Sequence, residues 1–305
     1  MSNTEVSIPP VELRENARPK TALDLRREES GRQTIVFDKY VGKKDEYQAV
    51  RWLDGVSGTY EAIASRGGRK FVKAYDLVTA KQRDFLYERE LEAINDLAPV
   101  GVTLPADDIG SEKPLIVQEF VDGRDLSDVI ADSAPFDAEE TRAILEPIAR
   151  KLGLAHARGW VNRDVKPANI RYRTTDKNYS EPLINDWGLG YNTEKHFDTN
   201  HGAGTTCWKA PEQFELNPKA DERADIYALG VILYELLTGF DPYFDMNLEE
   251  TKAAKRLPHN PREWNFELDE KLTLITIRAT QPQRQRRYQN LREMTEDFKK
   301  KTTRG

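Results

Sequence analysis

The chain has 305 residues, 38% of them hydrophobic, which is enough apolar material for one large or two modest domains with a proper core. A lone cysteine, Cys207, and four scattered histidines exclude an internal disulfide and a multi-cysteine or histidine-spaced metal site, and no apolar run is long enough to span a bilayer. The net charge of -6 gives no electrostatic case for nucleic acid as a partner, and the N-terminus MSNTEVSIPP lacks the basic and apolar regions of a secretory signal, so a cytoplasmic protein without membrane partners is expected.

Residues 1 to about 33 are polar, with Pro9, Pro10, Pro19 and the mixed-charge run LRREES, and read as a flexible or docked tail. From Thr34 the texture changes, TIVFDKYV and YQAVRWL clustering β-formers, and a sheet is expected from there. Arg66-Gly67-Gly68 signals a tight turn before the strand KFVKAYD, whose period of two puts Phe71 and Lys73 on one face and Val72 on the other. Between about Ala80 and Leu97 the spacing becomes helical, with Leu86, Glu90, Ile94 and Leu97 on one face, so one carboxylate sits in an apolar stripe, either as an exposed edge glutamate or, as the lysine on the preceding strand favours, in a charge pair. PLIVQEFVDG reads as a buried strand running into a polar connector between two lobes. Asp137 then caps a helix with an acidic first turn, AEETRAILEPIARKLGLAHARG, in which Pro147 predicts a kink. Asp225 to Thr238, DIYALGVILYELLT, is apolar nearly all round and stops at Gly239, as a central buried helix should.

Three stretches carry chemistry. VNRDVKPANI, residues 161 to 170, sets Asp164, Lys166 and Asn169 at spacings that serve phosphoryl transfer, although alone it could be a basic turn. LINDWGLG, residues 183 to 190, is an apolar strand ending in Asp186-Trp187-Gly188, and GTTCWKAPEQ follows from Gly204.

In this order the landmarks resemble the eukaryotic-like Ser/Thr protein kinase family, in texture closest to bacterial Hanks-type members, over roughly Tyr47 to Lys300. The resemblance implies an α+β, bilobal kinase-like fold, with an N-terminal extension over 1–45, a small β-rich N-lobe over 46–120 and a larger α-helical C-lobe over 121–305. It implies transfer of the γ-phosphoryl of ATP, with Mg²⁺, to Ser or Thr hydroxyls of proteins, this chain included, and leaves the oligomeric state open. Lys73 looks like the lysine on the α- and β-phosphates and Glu90 like its helix partner. Glu119 and Val121 match the connector whose backbone bonds adenine, Gln118 matches the gatekeeper, and Asp125 stands at an acidic ribose contact. Asp164 matches the base, Lys166 the γ-phosphate lysine, and Asn169 and Asp186 the metal ligands. Thr205 matches the threonine that packs on the catalytic Asp and Lys, Glu212 should pair with Arg287, and Asp225 should order the catalytic loop through its backbone amides. Arg163, before the base, matches the family's arginine that answers a phosphorylated activation segment, with Thr193, Thr199 and Thr206 as candidate sites and Thr199 favoured; the alternative is a segment that orders itself without modification.

Departures are equally legible. The glycine-rich loop reads LDGVSG, with Leu53 at the first glycine, leaving Gly55 and Gly58 to approach phosphate. Asn162 stands for the usual histidine and Trp187 for the usual phenylalanine, and Phe71 stands where alanine would lie over adenine. Leu53 and Phe71 bear on ATP affinity and motivate the alternative of a pseudokinase, a binding or scaffold module without catalysis. An antibiotic-phosphotransferase type of kinase shares the fold but lacks the GT and APE segment present here.

Overall fold

Alternation decides the first third of the chain. In the computed structural model, which describes residues 39–54, 58–75, 80–173, 178–195, 204–215 and 221–299, Glu46 to Val50 run exposed, buried, exposed, buried, exposed, the signature of a strand with one face on a core. The strands β1 (Lys39–Val41), β2 (Glu46–Asp54), β3 (Thr59–Ala64), β4 (Arg69–Ala74), β5 (Asp108–Ile109) and β6 (Leu115–Glu119) form one antiparallel sheet in the order β1-β2-β3-β4-β6-β5. Tyr40 of β1 pairs with Tyr47 of β2, so among the described residues the sheet includes the KYV end of TIVFDKYV and starts at Lys39. Residues 34–38, where a strand was also expected, lie outside the described residues.

Helix α1 (Ala80–Leu97) lays Ala93, Ile94 and Leu97 inward, and Ile94 packs with Tyr75 and Ile116 on the sheet. Glu90 falls on that same buried face. The chain then enters a helical half: β7 (Arg124–Asp125), α2 (Leu126–Ser133), α3 (Ala138–His156), β8 (Trp160–Val161), β9 (Ile170–Tyr172), β10 (Leu183–Ile184), β11 (Tyr191–Asn192), α4 (Glu222–Thr238), α5 (Leu248–Ala254), α6 (Glu270–Ala279) and α7 (Leu291–Lys299). Sheet-rich and helix-rich halves together make the α+β, bilobal architecture that the sequence implied.

The Asp137 carboxylate accepts the Glu139 and Glu140 amides at 2.9 and 2.8 Å, and α3 continues through Pro147 to His156. Helix α4 starts a turn earlier than its apolar run, at Glu222, because Asp221 accepts the Arg223 amide at 3.1 Å and caps it there. Nearly every α4 side chain is buried, and Gly239, at φ 79°, ends it. Ile226, Leu229, Leu233 and Leu236 pack with Ile144, Ile148 and Leu152 of α3 in one core that also receives Val165, Ile170 and Trp187. The short ribbons β8–β11 and β7–β9–β10 are thereby pinned to the helical core, and the loops that join them carry the candidate residues. Among the described residues no helix is long and apolar enough to cross a membrane.

Candidate active site

Strand β4 lies between β3 and β6, so its inward side chains are fixed from both sides. Lys73 is buried there, its Nζ 2.6 Å from Glu90 Oε2 and 2.7 Å from Asp186 Oδ1. The Tyr75 hydroxyl donates to the same Glu90 oxygen. Burial works against the lysine's charge, but the Asp186 and Glu90 carboxylates outweigh it and hold its pKa above the ordinary lysine value. Burial raises Glu90 despite Lys73, whereas Lys73 overcomes burial at Asp186 and holds it low. The sequence reading paired Lys73 with Glu90; Tyr75 escaped it, although it stands two residues past Lys73 and therefore on the same strand face.

The loop after β8 is built on Asp225. This α4 carboxylate, wholly buried, accepts the Asn162 and Arg163 amides at 2.9 and 2.8 Å and lies 2.8 Å from His156 Nε2. Arg163 and Asp186 both hold left-handed backbone, φ 68° and 59°, a conformation that costs about 1–3 kcal/mol at such a residue and persists only when neighbours impose it. Asp225 imposes it at Arg163. Asn162 bridges the two turns, its Nδ2 donating to Asp186 O at 3.2 Å and its Oδ1 accepting the Asp164 amide at 3.1 Å. The amide thus links the two turns by hydrogen bonding, and Trp187, fully buried with its Nε1 donating to Ile184 O, fills the adjacent space.

Asp164 faces the cleft fully engaged. Its Oδ1 accepts the Thr205 amide at 2.6 Å and the Thr205 hydroxyl at 2.8 Å, and its Oδ2 lies 2.9 Å from Lys166 Nζ, which also reaches Thr205 Oγ1 at 3.0 Å. Gly204 makes that approach possible: at φ 105° it backs onto Arg163 O, and a Cβ there would come within 2.8 Å of it. Gln213 ties the far end of the segment to the same carbonyl at 3.0 Å. Glu212 and Arg287 form a bidentate buried pair, 2.7 Å at each arm.

Of the expected nucleotide contacts, Gly55 lies outside the described residues, and Gly58 opens β3 with φ 69° and its carbonyl accepting the Ala74 amide. Glu119 ends β6 with its exposed side chain on Arg173 at 3.0 Å. The Val121 carbonyl is taken by Arg171, whose Nε and Nη2 donate to it at 3.0 and 2.9 Å. Asp125 is the N-cap of α2, its Oδ1 accepting the Asp128 amide at 3.0 Å. Neither the arginine nor the cap was anticipated. Arg171 bonds a carbonyl 50 positions away, which leaves no local pattern to read.

For a divalent cation, Asp186 offers a carboxylate held in its charged form, and Asn169 offers an amide oxygen, since its Nδ2 is spent on Asp164 O at 3.0 Å. No cluster of three His, Cys, Asp or Glu that would cage a metal by itself exists among the described residues. This donor set fits Mg²⁺, which binds through one or two protein oxygens and completes its shell with phosphate and water. Thr199 lies outside the described residues. The Arg163 guanidinium, expected to await a phosphate, donates to Leu189 O at 2.9 and 2.6 Å and lies over the Tyr191 ring.

A curled sheet over a helical half, with lysine, glutamate and two aspartates meeting between them, is the arrangement of one class of phosphotransferase. The chain belongs to the protein kinase domain family, whose model matches residues 60–298. Its relatives include the probable serine/threonine-protein kinase PknB of Corynebacterium glutamicum, 33% identical over 221 residues, or 68% of this chain and 33% of the relative. Serine/threonine-protein kinase Pkn1 of Myxococcus xanthus is 33% identical over 208 residues, 67% of this chain and 29% of that protein. PknL of Mycobacterium tuberculosis is 32% identical over 197 residues, 62% of this chain and 48% of its own. The chain therefore spans about a third to a half of the length of these relatives.

Proposed function

We propose that the chain is an active Ser/Thr protein kinase that transfers the γ-phosphoryl of ATP to protein hydroxyls, its own included, in the cytoplasm. The observation that carries this reading is the convergence on one cleft of the Lys73–Glu90–Asp186 cluster and of an Asp164 already gripped by Thr205 and Lys166. A substrate hydroxyl brought to Asp164 gives up its proton to that carboxylate while its oxygen bonds to the γ-phosphorus, and the bond from that phosphorus to the bridging oxygen breaks with its electron pair leaving on ADP. Lys166 lies beside the carboxylate and balances charge on the transferring group; Lys73, held by Glu90, orients the α- and β-phosphates. Asp186 and Asn169 would hold Mg²⁺, which when bound acts as a Lewis acid on the phosphate oxygens.

Adenine needs a donor for its ring nitrogen and an acceptor for its amino group, and we assign these to the backbone of Val121 and Glu119, with Gly55 and Gly58 near the phosphates and Asp125 near the ribose. Relatives named as Ser/Thr kinases support the hydroxyl class. The pseudokinase alternative rests on Leu53 and Phe71; against it weighs the joint presence of Lys73 bonded to Glu90 and Asp186, and of Asn169 bonded to Asp164, with Asn162 bridging the two sets. Incubation with radiolabelled ATP and generic protein substrates, with and without Mg²⁺, followed by phosphoamino-acid analysis, tests the proposal. Mg²⁺-dependent phosphoserine or phosphothreonine is expected; no transfer by the wild type, or full transfer by Asp164→Ala, overturns it.

A further inference from the structure

Behind the segment that grips Asp164 lies a second buried lysine. Lys255 ends α5, its amide bonded to Thr251 O at 3.0 Å, and its side chain turns inward until only 1% of the residue is exposed. Nζ donates to the Cys207 carbonyl at 2.6 Å and lies 3.7 Å from the ring centre of Tyr243 and 5.1 Å from that of Tyr227. The two hydroxyls of those tyrosines are 2.6 Å apart, and both reach His259 Nε2. Unlike Lys73, Lys255 makes no salt bridge among the described residues.

Such a placement is costly. Burial is the main influence on the ammonium and pulls its pKa to about 7; Asp241 favours the charge, while Lys209 and Arg287 oppose it. His259, pushed down to about 3 by burial and by Lys255, is neutral beside it. A methionine would fill the aromatic box with no charge to desolvate, so what the lysine gains is its bond to Cys207 and its contact with the Tyr243 face.

That bond acts on the segment where the reaction takes place. Residues 205–209 form a turn closed by the Lys209 amide on Thr205 O at 3.1 Å, and Cys207 is at its middle. One side of the turn is fixed by Thr205 on Asp164 and the other by Lys255 on Cys207. Thr205 opens this turn and is bonded to Asp164, so a hydroxyl brought to Asp164 arrives beside it. We propose that Lys255 is a positioning residue for the protein substrate: its ammonium, boxed by Tyr227 and Tyr243, holds the Cys207 carbonyl and thereby sets the turn against which the acceptor chain is laid. Losing the charge loosens the turn, and substrate binding weakens while nucleotide binding does not.

The inference rests on the kinase reading, and its test separates the two. With Lys255→Met, KM for a protein substrate should rise about tenfold, the scale of one lost hydrogen bond to a charged group, while KM for ATP stays within about twofold. In the wild type the same KM should rise as pH climbs past neutrality, and in Lys255→Met that dependence should vanish. Hydrogen exchange of the 204–210 amides, compared with α4 amides as an internal standard, should accelerate in the variant at pH 6 in the 204–210 segment alone. Tyr243→Leu, which takes one ring from the ammonium, should move both readouts the same way should Lys255→Met fold poorly. Unchanged exchange in 204–210, or equal rises in both KM values, overturns the proposal. A wild type without transfer would defeat the kinase reading and leave the exchange measurement to judge Lys255.

Discussion

Two lysines, Lys73 and Lys255, are buried to a similar degree and end in opposite electrostatic states. Lys73 meets two carboxylates within 2.7 Å and is held more firmly charged than a lysine in water. Lys255 meets a carbonyl and two tyrosine faces and is drawn toward neutrality near pH 7. Burial alone therefore does not set a lysine's charge; the formal charges around it do, and dipoles and ring faces offset only part of the lost hydration. The cleft spends carboxylates to fix a cation for phosphate, whereas the region behind it tolerates a cation that a small change in pH can discharge.

The comparison breaks first at the carboxylates. Asp186→Ala removes both a partner of Lys73 and a proposed metal ligand, and turnover should fall about 10³-fold or more, as for preorganised electrostatic groups generally. Asp164→Ala, which leaves Lys73 undisturbed, should lose roughly 10²- to 10⁴-fold in kcat in the same radiolabel assay. Third comes Arg287→Met, which strands the Glu212 carboxylate. Breaking such a buried pair costs about 3–5 kcal/mol, so the urea midpoint should drop with an unchanged slope.

Lys255→Met sharpens the contrast because its sign is opposite. In the folded chain the lysine's pKa is lowered to about 7 from 10.5, so between those values the unfolded chain binds more protons and wild-type stability rises with pH from this group. Below about 7 the native ammonium carries its full desolvation cost. Tm of Lys255→Met should thus exceed that of the wild type most at pH 6, with the gap closing toward pH 10; a variant less stable at pH 6 would place Lys255 with Lys73 after all. The smallest effect belongs to Phe71, half-buried on the Lys73 face of β4. Phe71→Ala should tighten Mg-ATP in calorimetric titration by up to about tenfold, since a phenyl ring takes the depth a purine needs; weaker binding would mean that the ring stacks on the base, a term worth about 0.5–1.5 kcal/mol.

The fold was legible wherever period and punctuation agree: β1, β2, β4 and β6, α1 from Ala80 to Leu97 and the Gly239 stop of α4 follow from local pattern, whereas the two-residue β5 was not read. The start of α4 was misread because its polar first turn, Glu222 to Ala224, hides a helix whose cap, Asp221, lies before the apolar run. Within the candidate site, spacing and resemblance named Lys73, Glu90, Asp164, Asn169 and Asp186, and the chain folds them into one cleft. What the sequence could not disclose were bonds between distant residues of ordinary type. Arg171 on Val121, Gln213 on Arg163 and Lys255 on Cys207 join positions about 50 apart by backbone carbonyls, which any residue supplies and no motif marks. Asn162 is intermediate: its departure from the family pattern was visible, while its bridge between Asp164 and Asp186 required the fold.

Trp187 gives the cleft its own optical reporter. The indole follows Asp186 directly, is fully buried and donates to Ile184 O, so its emission belongs at the blue end of the tryptophan range and is shielded from dissolved quenchers. Trp160 shares that shielding deep in the helical core with its Nε1 on Asp96, whereas Trp264 is 61% exposed and open to iodide. Iodide therefore dims the exposed Trp264 and spares Trp187, so a change in the shielded emission on adding Mg-ATP would report a change at the Asp186 turn without a label.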